Sequence, residues 1–401
     1  MSRPQRGFGV VGGLLAWMMV GANVPAPLYA LYAARWHFGT ATITAIFAVY
    51  VAFLIPSLLV GGPWSDQRGR KPAIAAGLAC ALAGAVVFLC AQGPVWLFVA
   101  RAAQGAGAGL LSGAATAHLA ELDGPRGRAP LVASLATGGG TAVGPLLAGL
   151  LAQYAPAPLR LAFLVVVGGL VGGGVALLVR VRETRPRAGK PLRWSRPRIP
   201  VAIRPVFWLA GGTAFAVWSV TAFFMSLAPS YVMRLLHVWN LAVAGGVVFL
   251  MLASAAITQF LTRTVTPTVA MPAGLVLIVM AVGGLLLAVP AHALWIVVVS
   301  TVVAGMGQGT GFLGSMATVT RIAPPAVKGL VVSSFYVVIY CGVGAPVLGL
   351  GLAAQYIGLD GAMWCYAAFI VMVVLTVLGG LAARRRAVAP SKPRKEDLAH
   401  E

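Results

Sequence analysis

Gly62-Pro-Trp-Ser-Asp66-Gln-Arg68-Gly69-Arg70-Lys71-Pro72 is a short, abruptly polar stretch set between two apolar runs, each long enough to cross a membrane as a helix. Four charges within six residues cost too much to sit in hydrocarbon. The segment therefore belongs at a water boundary, where it joins two spans on one side of a bilayer. Gly69 permits a tight reversal and Pro72 suits the first turn of the helix that follows. The expectation is a turn over 62–72 with helices on both sides.

The rest of the chain has the same character. Its 401 residues are 60% hydrophobic and 9% charged, with mean hydropathy +0.92, which excludes an ordinary soluble globule. Twelve apolar runs can be cut from it, roughly 9–32, 41–62, 72–92, 95–118, 129–153, 159–180, 205–230, 241–262, 268–289, 293–316, 328–354 and 360–382. The first run is read as a retained span, being longer than a signal-peptide core. The net charge of +21 would suggest nucleic acid in a soluble protein. With twelve spans and a cytoplasmic N-terminus, however, all but Arg35, Arg101, Arg160 and Arg234 of the 29 basic residues fall on the cytoplasmic side. That is the positive-inside pattern, so topology accounts for the charge and no nucleic-acid partner is expected. Cys80, Cys90, Cys341 and Cys365 fall within spans and read as small apolar packers rather than disulfides or ligands.

The opening stretch resembles the G-x-x-x-D-R-x-G-R-R/K loop signature of the major facilitator superfamily. Gly62, Asp66, Gly69, Arg70 and Lys71 match it, while Gln67 and Trp64 depart from it. The resemblance implies a cytoplasmic latch whose acidic and basic groups bond to helix ends and hold an inner gate shut. Without it, the loop would be a positively charged segment that fixes topology.

Two further stretches carry the resemblance. In the fourth run Arg101 and Gln104 lie three apart, on one helical face, ahead of Gly105, Gly107 and Gly109. An arginine at this depth must face protein or water. The pattern resembles the family's second signature, whose arginine is associated with coupling or substrate. The glycines follow no strand, so they read as helix packing rather than a nucleotide loop. In the fifth run Gly140, Gly144, Pro145, Ala148 and Gly149 give a smooth face with a bend at the proline. This resembles the third signature, G-x-x-x-G-P-x-x-G-G, associated in the family with exporters that work by antiport; these glycines join the gating set.

Residues 181–204 turn hydrophilic, strongly basic and proline-rich. They divide the chain into an N-terminal six-helix unit (1–180), a cytoplasmic linker (181–204), a second six-helix unit (205–384) and a cytoplasmic tail (385–401). The units repeat: Gly305, Gly307 and Gly309 follow Gly105, Gly107 and Gly109 by 200 residues, and Pro346 follows Pro145 by 201. The expected fold is all-α and polytopic, with twelve transmembrane helices in two pseudo-symmetric bundles and a site between them. The repeat is not even. Arg101 maps onto Thr301, and the second copy of the polar loop, near Arg263 and Pro267, lacks aspartate and glycine.

Asn23, Pro25, Pro27, Tyr29 and Tyr32 break the first span and leave polar groups that lipid cannot satisfy, so this face should line a cavity. Trp218, Phe224 and Gln308, on the seventh and tenth runs that by the resemblance line the path, and Tyr336 on the eleventh complete a candidate substrate set with Asn23 and Tyr29. An aromatic, weakly polar lining suits a small hydrophobic solute. All eight acidic residues, Asp66, Glu121, Asp123, Glu183, Asp360, Glu396, Asp397 and Glu401, fall in loops, tails or helix ends, so no carboxylate waits at mid-membrane to carry a proton. A guanidinium cannot do so either. This favours neutral or anionic solutes and leaves proton coupling to another group, such as His118. His37, His118, His237, His292 and His400 are scattered, with no metal-ligand spacing and no partner for enzyme chemistry, so neither metal nor cofactor is implied. The reading is a monomeric secondary transporter of the inner (plasma) membrane with both termini cytoplasmic. It exports a small hydrophobic solute by alternating access and proton antiport. The alternative is an importer or facilitator of an organic acid, sugar or other metabolite on the same fold.

Overall fold

The computed structural model describes residues 3–184, 199–235, 240–288, 290–291 and 293–388; most of the basic linker, most of the C-terminal tail, and His237, His292 and His400 lie outside the described residues. Among the described residues every regular element is helical: α1 (Arg3–Asn23), α2 (Pro25–Trp36), α3 (Thr40–Arg68), α4 (Arg70–Leu89), α5 (Pro94–Asp123), α6 (Ala129–Tyr154), α7 (Leu161–Arg180), α8 (Arg204–Ser226), α9 (Ala228–Leu235), α10 (Leu241–Leu261), α11 (Pro267–Ala288), α12 (Leu294–Ile322) and α13 (Lys328–Val388). Among the described residues, ten segments are long and apolar enough to cross a membrane.

Three breaks follow from local chemistry. The first apolar run is two helices that meet at Val24, because Pro25 and Pro27 cannot donate to the helical ladder. α8 gives way to α9 at Leu227 in the second half. α13, at 61 residues, leaves helical geometry at Gly358 (φ 72°, ψ 169°), a backbone that glycine tolerates.

The opening stretch departs from expectation. Gly62 through Arg68 are not a turn but the last part of α3, which carries Pro63 inside it. The whole reversal is made at Gly69 (φ 105°, ψ 156°), with α4 starting at Arg70. The charged groups thus project from two helix ends held by one residue. The cysteines also need correction: Cys90, Cys341 and Cys365 are exposed and only Cys80 is half-buried. An exterior that meets lipid rewards the same apolar side chains as an interior. Leu131, Val179, Trp295 and Trp364 on the same exterior are more than half exposed.

α3 and α4 pack on α5, and α10 and α11 pack on α12, in equivalent ways. A Cβ on Gly105 would strike the Tyr50 carbonyl and one on Gly109 the Leu54 carbonyl. Gly305 and Gly309 sit likewise on the Met251 and Ala255 carbonyls, 201 residues further on. The main contacts between the earlier helices and the later ones are α6 on α10 and α3 on α13, with smaller ones from α2 to α8, α9 and α10 and from α3 to α8.

Candidate functional site

Arg101 and Gln104 lie where the broken first span meets α5, and both are buried. The Arg101 guanidinium donates to the Ala22 carbonyl (2.7 Å) and to Gln104 Oε1 (3.0 Å). Gln104 Nε2 donates in turn to the Gly21 carbonyl (3.2 Å). The break after Asn23 leaves the last carbonyls of α1 without their usual partners, and these two side chains supply some of the missing donors. The guanidinium also stacks over the Tyr50 ring at 4.1 Å, with Phe47 at 5.8 Å. An arginine at the bilayer centre costs about 3 kcal/mol on insertion scales. Hydrogen bonds to a charged group return about 1.5–3 kcal/mol each, and a desolvated cation–π contact about 2 more. The pocket thus holds the charge on its own, and Arg101 Nε is left as a buried donor without a partner.

The candidate substrate residues lie on several elements: Asn23 and Tyr29 on the broken first span, Trp218 and Phe224 on α8, Gln308 on α12 and Tyr336 on α13. Asn23 Nδ2 donates to the Met19 carbonyl in its own helix (2.8 Å). Tyr29 is buried with an unpartnered hydroxyl, and Trp218 has an unpartnered Nε1 with its ring edge-on to Phe312 at 5.6 Å. Phe224 is fully buried against Phe223. Gln308 accepts from Gln259 Nε2 at 3.5 Å, and Tyr336 stacks on Tyr340 at 6.3 Å.

The α6 glycines serve two neighbours. A Cβ on Gly140 or Gly144 would strike the Ala16 or Val20 carbonyl of α1. Gly149 instead faces α10, where a Cβ would meet the Leu241 carbonyl, while Gly245 lies against the carbonyl of Pro145. Gln153 Oε1 also accepts from the Leu241 N–H at 2.9 Å.

At the α3–α4 reversal the polar groups close into a network. Arg70, nearly buried, bridges Asp66 (2.7 Å) and Glu121 (3.1 Å) and donates to Ser65 Oγ (2.6 Å). Glu183, just beyond α7, accepts from the Arg70 and Lys71 N–H groups, both at 2.9 Å. A carboxylate there satisfies two orphan donors and meets the positive end of the α4 dipole. Lys71 Nζ reaches the Leu178 carbonyl (3.0 Å), and Thr184 Oγ1 donates to Glu121 and lies 3.2 Å from Nδ1 of the buried His118. One loop thereby ties α3, α4, α5 and the end of α7. Glu183 and Thr184 escaped the sequence reading because they lie inside the hydrophilic 181–204 stretch; the available signal was that Glu183 is its only acidic residue. Beyond the 95–118 span, Asp123 accepts from the Arg128 and Ala129 N–H groups and pairs with Arg128 Nε at 3.1 Å. Its burial opposes ionisation, but these bonds win and hold its carboxyl below the usual aspartate range.

Comparison with known proteins adds identity to this geometry. A family model described as Major Facilitator Superfamily matches residues 9–345. Over 161 residues the chain is 35% identical to "Puromycin resistance protein pur8" of Streptomyces alboniger, a match covering 38% of this chain and 31% of that protein. Among solved structures, a bacterial homolog of the human lysosomal transporter Spinster, inward-facing and occupied, superposes with TM-score 0.74 at 16% identity over 93% of this chain and 96% of its own. A POT family transporter in complex with 5-aminolevulinic acid gives 0.77 at 14% over 93% and 95%. At these identities the structures share the fold alone.

Proposed function

The chain belongs to the Major Facilitator Superfamily and is a multi-pass membrane transporter, and from that premise we propose that it exports a small hydrophobic solute by alternating access. The observation that carries the proposal is Arg101, a buried charge about two turns into α5, bonded to the broken end of α1 and backed by an aromatic ring. A transporter gains from such a group, which can exchange its carbonyl partners for a solute or its anion as the cavity changes shape. Export is favoured by the glycine–proline face of α6 and by the partial similarity to a puromycin resistance protein. Asn23, Tyr29, Trp218, Phe224, Gln308 and Tyr336 are the proposed solute contacts. Gly62, Asp66, Gly69, Arg70, Lys71, Gly140, Gly144, Pro145 and Gly149 are the proposed gating set, to which Glu183 is added.

The proposed topology has twelve crossings in two bundles of six, 1–180 and 205–384. The ten apolar segments are joined by α5, which is 30 residues long but diluted by Arg101 and Gln104, and by a division of α13 at Gly358. Both termini, the linker and the Gly69 reversal then face the cytoplasm, in a plasma membrane.

The second reading, an importer or facilitator of a metabolite, is favoured by one observation: no acidic residue lies at mid-membrane to carry an antiported proton. Everted vesicles given a solute panel, with pH and membrane potential imposed separately, test both. Accumulation driven by an acidic lumen supports proton antiport. Flux indifferent to both gradients overturns it in favour of facilitated diffusion.

A further inference from the structure

Of the four helix ends that meet at the Glu183 network, three have counterparts at a cavity in the second half, where the start of α8 stands in place of the end of α10. The starts of α8 and α11 and the ends of α12 and α13 enclose a cavity of about 570 Å³. It lies at the same end of the molecule as Gly69: α13 runs antiparallel to α3, with Gly344 against Val51 and Gly351 against Thr44, so its start and the adjacent end of α12 lie beside the end of α3. Equivalence is fixed by glycine contacts: Gly77 of α4 lies on Gly107 of α5, and Gly274 of α11 on Gly307 of α12.

The chemistry at the two places is inverted. In the first half the inward-turned groups include carboxylates, Glu121 and Glu183, which neutralise Arg70 and the α4 N-terminus. In the second half Arg321 stands 200 residues after Glu121, Arg384 comes from the end of α13, and among the described residues that line the cavity none is acidic. The rim is polar and exposed, with both arginines. The floor is apolar, with Leu209 and Leu381 half-buried and Met271 buried. Positive rim and greasy floor are the two halves of an amphiphile's complement. Water's share of liquid volume is about 30 Å³, so this space is large for a bare phosphate and poorly lined for a water cluster. A phosphate on arginines gains charge-assisted hydrogen bonds, and a chain lying on the floor removes apolar surface from water.

We propose that this cavity is a binding site for an anionic phospholipid, its phosphate held by Arg321 and Arg384 and an acyl chain laid over Leu209, Met271 and Leu381. The lipid supplies from outside the negative charge that Glu121 and Glu183 supply within the first half. Clusters of basic side chains between spans at a membrane surface attract acidic headgroups.

The test uses the full-length protein, purified in detergent and stripped of lipid, then offered dioleoylphosphatidylglycerol or dioleoylphosphatidylcholine and examined by native mass spectrometry and thermal melting. The expected result is retention of phosphatidylglycerol about tenfold over phosphatidylcholine, with a raised melting temperature. Both effects should vanish in Arg321→Gln/Arg384→Gln. Leu209→Trp, which keeps both charges but fills the floor, should lose them as well, and it serves if the double variant does not fold. Equal retention of the two lipids, or full retention of phosphatidylglycerol by either variant, overturns the site. A melting rise reproduced by inorganic phosphate alone overturns the lipid in favour of a small-anion site.

Discussion

At the position where α5 carries Arg101, α12 carries Thr301, and each neighbourhood is built to match. Around Arg101 the helix behind offers an aromatic ring, Tyr50, and the broken α1 offers free carbonyls. The residue equivalent to Tyr50 is Met251, and Thr301 donates to the Val297 carbonyl of its own helix at 2.7 Å. The glycine packing of the two halves is the same; the polar equipment is not. Repetition of a backbone arrangement therefore says little about where the charge is used. The first half carries a buried cation and a closed polar network at Gly69, and the second carries apolar packing, hydroxyls bonded mostly within their own helices and an open basic cavity.

The largest effect should come from removing the cation. Arg101→Ala should lower the initial transport rate in vesicles by at least about tenfold while immunoblots show normal insertion, since it deletes two charge-assisted bonds. Arg101→Lys should recover little, because an ammonium cannot make the same fork and stack. Thr301→Val, the matched change in the second half, should leave the rate within about twofold, as its bond is internal to one helix. A large loss in Thr301→Val would erase the contrast.

Next comes the reversal. A Cβ at Gly69 would sit 2.5 Å from Glu183 Oε2 on a backbone of φ 105°. Gly69→Ala should destabilise the protein by about 1–3 kcal/mol, read as a lower melting temperature. Glu183→Gln removes the charge and one of the two acceptor oxygens, and should cost about 1–2 kcal/mol, with part of the difference from wild type shrinking as salt is raised. Arg321 has no paired carboxylate among the described residues, so Arg321→Gln should have no comparable effect on lipid-free protein.

The smallest effect is that of Asp123. Its folded pKa lies below the unfolded one, so its ionised form stabilises the fold above the unfolded pKa, and the contribution is lost as pH falls through the folded value. Melting of Asp123→Asn should therefore approach that of wild type in acid and fall below it near neutrality. A difference independent of pH would assign Asp123 a packing role alone.

The all-helical, many-spanning character was legible because the bilayer allows few solutions: length and hydropathy call for helices. The 200-residue recurrence of Gly105 and Gly305 was legible too, and the contacts of those glycines explain it. What was hidden depended on partners far apart in sequence. Nothing near Arg101 and Gln104 announces that they donate to the Ala22 and Gly21 carbonyls, freed by a break that Pro25 imposes. Glu183 lies 113 residues from Arg70 in a segment whose composition reads as linker. The helical state of 62–68 was missed because Gly62 and Pro63 look like breakers, whereas the preceding α3 carries both without ending.

The contact between α6 and α10 has a mechanical consequence. Gly149 meets the Leu241 backbone and Gly245 meets the Pro145 carbonyl, so main chain rests on main chain at the seam between early and late helices. Interdigitated side chains must climb out of their notches before two surfaces can turn against each other, but these smooth ones have few notches. Relative rotation there meets little corrugation, and the seam behaves as a bearing whose resistance is set by the ties at its ends.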